Sequence, residues 1–377
     1  MRIAVLAPIA WRVPPRHYGP WELFASLLTE GLVSRGHEVT LFAVGESETS
    51  ARLRSVVPRG WSEDPSIEPK VAECLHVSQV FEQASEFDVI HNSFDFLPLT
   101  YSALVSTPVV TTIHGFSSPR IVPVFAKYNK NTFYVAISDA DRHPALDYVA
   151  TIHHGIETGE FSFSPTAGSY LAFFGRIHPD KGVVAAIDAA EKTGIPIRLA
   201  GIIQDDQYFK REIVPRLDGD RVRFVGSVRA EDRSSFLGGA LALLHLIDFD
   251  EPFGLSVVEA MACGTPVIAF DRGSMPELIV DGTTGSLVLD VASAVKAITR
   301  VGQLDRRTIR DVAVQRFSSD RMIDAYVGVY QHAIAEYQLR GARAQERDKL
   351  KNPNSPLDPV AFSTSQVKSG SSGLTRD

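Results

Sequence analysis

The sequence has very little cysteine, with only Cys74 and Cys263 among 377 residues. The two thiols lie far apart in the chain, and neither has a partner at the spacing of a metal site or of a redox pair. The chain therefore has no disulfide framework. Isolated thiols fit a reducing compartment, so we expect a cytoplasmic protein in which both cysteines pack as small apolar side chains.

Long hydrophobic runs are also absent from the sequence. No segment approaches the roughly 18 consecutive apolar residues that a membrane-spanning helix requires. The opening residues MRIAVLAPI are followed by Trp11, Arg12 and Pro14 and not by a cleavage site, so we interpret them as a buried first strand and not as a signal peptide. The sequence predicts no transmembrane segment.

Positive charge is scarce as well. The formal net charge is −7, and the first 165 residues carry 12 Lys and Arg against 18 Asp and Glu. Nucleic acids and anionic lipids bind to basic surfaces. We therefore expect no nucleic-acid partner, and peripheral membrane contact is the less favoured alternative.

A dinucleotide fingerprint is missing too. After the first apolar run the chain reads PIAWRVPPRHYG, where a nicotinamide dehydrogenase would have a compact G-x-G-x-x-G turn. This difference argues against a nicotinamide cofactor.

The residues that are present predict an α/β fold. A chain of 377 residues with 44% hydrophobic content is long enough for two domains with separate cores. Short apolar runs alternate with amphipathic segments, first in RIAVLAP, HEVTLFAV, DVIHNS, PVVTTIHG and TFYVAIS, and later in LAFFG, IRLAG, VRFVG, ALLHLI, PVIAF and GSLVL. The alternation predicts two Rossmann-like, doubly wound parallel sheets that face each other across a cleft.

The domain limits follow from changes in composition. The polar segment ETGEFSFSPTAGS separates an N-terminal domain, residues 1–165, from a C-terminal domain, residues 166–318. Helical spacing predicts a further helix over residues 319–339 that packs back on one domain, with the N-terminal domain preferred. We predict helices from about 181 and near 206–217, 231–240 and 255–263. Residues 345–377 are rich in charge, Pro, Ser and Gly, and we expect them to be disordered.

Two motifs of the second half follow predicted strands, where α/β folds bind their ligands. In FFGRIHPDKG, Arg176 and Lys181 are two cations at a strand end beside a helix start. Such a pair, together with backbone N–H groups of the helix, suits a diphosphate.

The second motif is EPFGLSVVEAMACGTPVIAF, with Glu251 and Glu259 separated by seven uncharged residues. Pro252 and Gly254 predict a tight loop before a helix. The N-terminus of that helix leaves backbone N–H groups free for an anion or a sugar hydroxyl. The residues expected to present them are Phe253, Gly254, Leu255 and Ser256.

These motifs, together with GHEVTLF after the first helix, resemble the retaining glycosyltransferases of family 4, whose signature is E-x7-E in a two-domain GT-B fold. The resemblance implies that Glu259 binds the ribose of a nucleotide and that Glu251 binds hydroxyls of the donor sugar. It also implies that Arg176 and Lys181 neutralise the diphosphate. The nucleobase would lie near Val228 and Arg229.

In the first half, TTIHGFSSP places His114 after a strand, where the family has a histidine near the donor sugar. The segment RHYGPWE matches a phosphate loop with two glycines in many relatives. Here Gly19 is kept, but Pro20 replaces the second glycine, which removes one N–H donor. HHGIE and Leu246 are further departures from the family pattern.

Five polar residues in loops of the first half are candidates for contacts with an acceptor. These are His17, Tyr18, His91, Asp95 and Arg120.

The resemblance implies transfer of a hexosyl group from a nucleoside-diphosphate sugar, with UDP as the default, to an acceptor hydroxyl. It implies retention of the anomeric configuration, and we predict no metal and no cofactor because no D-x-D pair lies at the expected strand edge. The acceptor would be a small molecule or a saccharide. Two alternatives stay open: a disaccharide or sugar-phosphate synthase or phosphorylase, and a non-catalytic subunit that binds nucleotide sugars.

Overall fold

The structure is a computed structural model that describes residues 1–16, 19–116 and 118–351. Within these residues the chain forms two separate sheets whose strand pairs are all parallel. The first sheet contains β1 Arg2–Leu6, β2 Glu38–Phe42, β3 Arg52–Arg54, β4 Val89–Asn92, β5 Val109–Ile113, β6 Thr132–Ala136 and β7 Tyr148–Thr151. The second contains β8 Leu171–Phe174, β9 Ile197–Ala200, β10 Val222–Gly226, β11 Ala242–His245, β12 Val267–Phe270 and β13 Gly285–Val288.

The strand orders confirm the predicted fold class. They are β3-β2-β1-β4-β5-β6-β7 in the first sheet and β10-β9-β8-β11-β12-β13 in the second. Each order reverses direction once, between β1 and β4 and between β8 and β11. Doubly wound sheets bind ligands at such switch points, outside the carboxyl ends of the strands. The loops after β1, β4, β8 and β11 are therefore the expected site positions.

Helices cover the faces of the sheets. They are α1 Pro20–Ser34, α2 Pro69–Glu82, α3 Val122–Lys127, α4 Val183–Thr193, α5 Asp206–Tyr208, α6 Ala230–Gly238, α7 Leu255–Ala262, α8 Met275–Leu278, α9 Val291–Ile298, α10 Arg306–Phe317 and α11 Ser319–Lys351. The second sheet packs against α4 and α9 in one apolar cluster and against α6, α7 and α10 in another. A parallel sheet covered on both faces requires apolar side chains throughout, which explains the continuous hydrophobic runs.

We call the part of the chain that carries β1 to β7 the first lobe and the part that carries β8 to β13 the second lobe. Residues Met1–Ile334, which include both lobes, form one compact unit. The division near residue 165 stays a prediction. The start of α11 contacts the first lobe, where the hydroxyls of Tyr326 and Tyr330 form 2.8 Å hydrogen bonds with Thr112 and His91.

Two predicted helices differ from the structure. The segment expected as a helix over 206–217 is a single turn, α5, followed by a π-type turn to Ile213 and a tight turn that ends at Arg216. Pro215 lacks the N–H that a regular helix needs at this point. The last helix continues to Lys351, beyond the position at which we expected disorder, and residues 352–377 lie outside the described residues.

No helix in the described part of the chain combines the length and the apolar composition needed to cross a lipid bilayer.

Candidate functional site

The loops that follow β8 and β11 bring two predicted site residues into contact. The Lys181 Nζ lies 2.5 Å from the Glu251 Oε2, and only 12% and 17% of the two side chains are exposed. The same Nζ lies 4.6 Å from the centre of the Phe249 ring. Because little water reaches these atoms, the two charges attract each other more strongly than they would on an open surface. Lys181 and Glu251 thus form one ion pair at the switch point of the second sheet.

A glycine beside Lys181 permits this contact. Gly182 has a φ of +70°, and a Cβ atom there would lie 1.8 Å from the carbonyl oxygen of Leu246. Glycine alone combines this backbone conformation with so close an approach. The start of α4 therefore packs directly against the chain that leaves β11, which brings the Lys181 ammonium to the loop that carries Glu251.

Arg176 lies in the same loop as Lys181 but has other partners. Its guanidinium donates a hydrogen bond to the side-chain oxygen of Gln204 and lies 3.9 Å from the Asp180 carboxylate. These contacts involve neither Lys181 nor Glu251, so Arg176 is not part of that ion pair. Its predicted role at a diphosphate stays a prediction.

The N-terminus of α7 has no side-chain cap, and Gly254 precedes it with a φ of +102°. The Phe253 side chain is buried, and its ring centre lies 5.1 Å from that of His154. Phe253 is therefore a packing residue through its side chain. Any binding role of this segment depends on backbone N–H groups, including those of Leu255 and Ser256 at the helix start.

Glu259 is 4% exposed within α7. Its Oε1 accepts a hydrogen bond of 2.6 Å from the Nη1 of Arg233, on α6. Burial raises the pKa of the Glu259 carboxyl, and the Arg233 charge opposes that shift. Both side chains line a cavity of about 210 Å³ that also contacts Pro20 and Leu255. Predicted donor-site segments from both lobes therefore meet at one cavity, and sequence reasoning missed Arg233 because no motif distinguishes it.

His114 follows β5 and lies among aromatic rings. Its Nδ1 is 3.4 Å from the His154 Nε2, with Trp21 and Phe24 at ring-centre distances of 5.5 and 4.7 Å. Burial lowers the pKa of His114 well below its ordinary value, so the ring is neutral. The buried His114 Nε2 has no hydrogen-bond partner among the described residues. A neutral ring with one free nitrogen suits a residue that orients a hydroxyl.

The predicted phosphate loop contains an unpredicted buried acid. A Cβ atom at Gly19 would lie 2.8 Å from the Glu22 Oε2, so the Glu22 carboxyl packs against this glycine at the start of α1. Glu22 is 3% exposed. Burial raises the pKa of the Glu22 carboxyl to about 7, although the backbone N–H of Trp11 donates to it.

We expect Glu22→Gln to become more stable relative to the wild type as the pH rises. The wild-type carboxyl is protonated in the folded state up to about pH 7 but ionises near pH 4.5 when unfolded. Between these values the folded state binds the extra proton, so raising the pH costs the wild type about 3 kcal/mol that the amide does not lose. Urea denaturation at pH 5 and pH 8 measures this difference. An E22Q difference from the wild type that does not depend on pH would contradict the prediction.

The acceptor candidates lie in different environments. His91 is fully buried, and its two ring nitrogens form hydrogen bonds with Tyr330 and Ser93, so we do not retain it as an acceptor contact. Asp95 has a φ of +102°, and burial raises the pKa of its carboxyl to about 6. Arg120 is exposed. The remaining two, His17 and Tyr18, lie outside the described residues.

The two predicted base contacts are less distinctive. Val228 packs against the apolar cluster of the second lobe. Arg229 is exposed and pairs with Asp232 at 2.8 Å and Glu231 at 3.0 Å. These contacts do not test where the nucleobase binds, so its position near Val228 and Arg229 stays a prediction.

A carboxylate that sequence reasoning missed joins the two lobes. The Glu277 side chain, on α8, accepts hydrogen bonds from the backbone N–H groups of Asp139 and Ala140 at 2.9 and 2.7 Å. Its Oε2 also lies 3.0 Å from the His153 Nε2. These contacts lower the pKa of Glu277 despite its burial. The loop after β6 is thereby attached to the second lobe.

We expect Glu277→Ala to lower the free energy of unfolding by about 3 kcal/mol, because hydrogen bonds to a charged acceptor are stronger than neutral ones and their donors would lose their partner. Chemical denaturation measures the loss. The matched control is Glu231→Ala, whose carboxylate is exposed and forms only a surface ion pair. Equal stability of the two variants would contradict the role of Glu277.

Among the described residues, no group of three or more His, Cys, Asp and Glu side chains is placed to hold a metal ion. Metal independence stays a prediction.

Two family models match consecutive parts of the chain. The family model described as Glycosyltransferase Family 4 matches residues 22–160, and the model described as Glycosyl transferases group 1 matches residues 160–307. A D-inositol 3-phosphate glycosyltransferase of Mycolicibacterium smegmatis is 31% identical over 234 residues, which are 56% of this chain and 53% of the relative. The chain spans about half the length of the curated relatives it matches.

Solved structures share the fold. Sucrose-phosphate synthase from Thermosynechococcus elongatus has a TM-score of 0.71 at 19% identity, with 89% of this chain and all of that chain covered. HepE of Anabaena, solved in complex with UDP, has a TM-score of 0.66 at 19% identity, with 88% of this chain and all of that chain covered. On the two family models and the shared GT-B fold, this chain belongs to glycosyltransferase family 4.

Proposed function

We propose that this chain is a retaining glycosyltransferase that moves a hexosyl group from a nucleoside-diphosphate sugar, UDP-linked by default, to an acceptor hydroxyl without a metal ion. The observation that carries the proposal is the Lys181–Glu251 ion pair, 2.5 Å long, at the switch point of the second sheet and before the uncapped N-terminus of α7. This arrangement combines a cation, free backbone donors and a carboxylate. A sugar diphosphate requires all three.

The reaction builds negative charge on the leaving diphosphate as the bond between the anomeric carbon and the phosphate oxygen breaks. Lys181 and the N–H groups at the start of α7 stabilise that charge, with Arg176 as a second cation beside them. A Lys181 that moves to the phosphate releases Glu251 to accept hydrogen bonds from the donor sugar. The new bond forms from the acceptor oxygen on the same face, and its proton passes to the leaving phosphate oxygen, so no protein nucleophile is required.

The nucleoside half of the donor would lie at Glu259. A buried carboxylate beside Arg233 accepts two hydrogen bonds from a vicinal diol, which is the chemistry of a ribose. HepE, which shares the fold, was solved with UDP and with UDP-glucose, and this supports UDP as the first nucleotide to test.

A thermal-shift panel of nucleoside diphosphates and nucleotide sugars tests the proposal. A ligand at one hundred times its Kd stabilises the folded state by about 2.7 kcal/mol, so we expect UDP and one UDP-hexose to raise Tm. An acceptor screen by mass spectrometry with the best donor follows. Disaccharide cleavage that needs phosphate but no nucleotide would favour a phosphorylase, and donor binding without transfer or hydrolysis would favour a non-catalytic binder.

A further inference from the structure

The guanidinium of Arg233 bonds to Glu259 and also carries a buried donor, Nε, that has no partner among the described residues. Its Nη1 donates to the Glu259 Oε1 at 2.6 Å, and its central carbon lies 5.5 Å from the Phe174 ring centre, a cation–π distance. The Arg233 Nε is buried and has no hydrogen-bond partner among the described residues. A buried N–H without an acceptor is destabilising, so an acceptor supplied by a ligand would be favourable here.

The surroundings of this donor suit a hydroxylated ligand. Arg233 and Glu259 line the cavity of about 210 Å³ together with Glu157, Glu160 and Leu255. Among the described residues that line the cavity, Arg233 is the only Lys or Arg, and three are carboxylates. An anion would meet more negative than positive charge here. A neutral diol would instead find acceptors on Glu259 and a donor on Arg233.

We propose that Arg233 binds the ribose of the donor nucleotide together with Glu259 and gives this site its preference for ribonucleotides. The inference rests on the proposed function and deepens it. Each hydroxyl of a vicinal diol both donates and accepts a hydrogen bond. Glu259 accepts from the two hydroxyls, and the Arg233 Nε donates to the 2′ oxygen. A 2′-deoxyribose lacks one of the two hydroxyls, so it cannot form all of these hydrogen bonds.

Arg233 has a second effect on the same site, because its positive charge opposes protonation of Glu259. The groups that act on the Glu259 carboxyl are Arg233 on α6, Glu160 before β8 and Cys263 at the end of α7. Burial and Glu160 raise the pKa of Glu259, and Arg233 opposes them. Without Arg233 the pKa of the Glu259 carboxyl would rise further, and a protonated carboxyl has less acceptor capacity. Nucleotide binding would then strengthen as the pH rises.

Isothermal titration of UDP and 2′-deoxy-UDP tests the proposal with wild type, Arg233→Met and Arg233→Lys at pH 6.5 and 8.5. We expect the wild type to prefer UDP by about tenfold, the effect of one lost hydrogen-bonding group. Arg233→Met should bind UDP about 30-fold more weakly at pH 6.5, regain only part of that affinity at pH 8.5, and show a smaller preference for UDP than the wild type. Arg233→Lys keeps a charge beside Glu259 but lacks the Nε donor, so its preference for UDP should be smaller than that of the wild type without the added pH dependence.

The control is Arg211→Met. The Arg211 side chain is 71% exposed and pairs with the adjacent Glu212, so this variant should bind UDP as the wild type does. Circular dichroism establishes that each variant is folded, and Arg233→Lys alone decides the preference if Arg233→Met does not fold. Wild-type affinity and preference in folded Arg233 variants would overturn the inference and leave the proposed function intact. Failure of the wild type to bind any nucleoside diphosphate would overturn both.

Discussion

Lys181→Ala is expected to reduce sugar transfer by about a thousandfold, the upper range for loss of one preorganised group that stabilises transition-state charge. In the wild type the Lys181 ammonium lies in a site where only 12% of its side chain is exposed, so water cannot replace it effectively at the leaving diphosphate. Initial rates of nucleotide release from the donor, with the best acceptor, measure the loss. We expect kcat to fall more than KM rises.

Loss of Lys181 also has a structural cost that must be separated from the chemical one. It leaves Glu251 with 17% exposure and no cation, which we expect to lower stability by about 2 kcal/mol, less than for a fully buried pair. The double variant Lys181→Met with Glu251→Gln removes both charges and should recover most of that stability while it stays inactive. Wild-type activity in both Lys181→Ala and Glu251→Ala would refute the proposed mechanism.

Glu259→Ala is expected to weaken UDP binding by about 100-fold, with a smaller change in kcat. The change removes the carboxylate that we propose as the acceptor of two ribose hydrogen bonds, each worth about 1.5 kcal/mol when the acceptor is charged. It also leaves Arg233 without the carboxylate that its Nη1 contacts at 2.6 Å. Titration calorimetry with UDP measures the affinity, and initial rates at saturating donor concentration measure kcat.

The contrast between the two variants is the decisive comparison. In the proposed mechanism, Lys181→Ala removes a group that acts on the reacting diphosphate, whereas Glu259→Ala removes one that acts on the nucleoside. Glu259→Gln serves as the matched control, because the amide keeps one acceptor and similar volume and should lose less affinity than alanine. A Glu259→Ala variant with normal UDP affinity but no turnover would reverse the assigned roles.

Much of the fold was predictable because parallel strands buried on both faces consist of consecutive apolar residues. Runs such as RIAVLAP and PVIAF satisfy that condition, and both are strands. The edge strand β3, Arg52–Arg54, was missed because its short, largely exposed sequence RLR has no such signal. The helix α10 was missed for a similar reason, because seven of its 12 residues are charged or polar.

The sequence by itself determined the two parallel sheets and the positions of Lys181, Glu251 and Glu259 next to strand ends or helix starts. Strand ends and helix starts can be predicted from the local sequence, since glycines, prolines and apolar runs influence the backbone over only a few residues. It also pointed to family 4, because the E-x7-E motif is a contiguous pattern in the chain.

Only the tertiary structure decided which of these residues meet. The contact of Lys181 with Glu251 spans 70 positions, that of Arg233 with Glu259 spans 26, and that of Glu277 with Ala140 spans 137. Such pairs depend on the order of strands in each sheet and on how the loops pack, and no local pattern encodes either. Burial acts in the same way: the pKa values of Glu22, Glu259 and His114 are shifted by surroundings that the whole fold assembles.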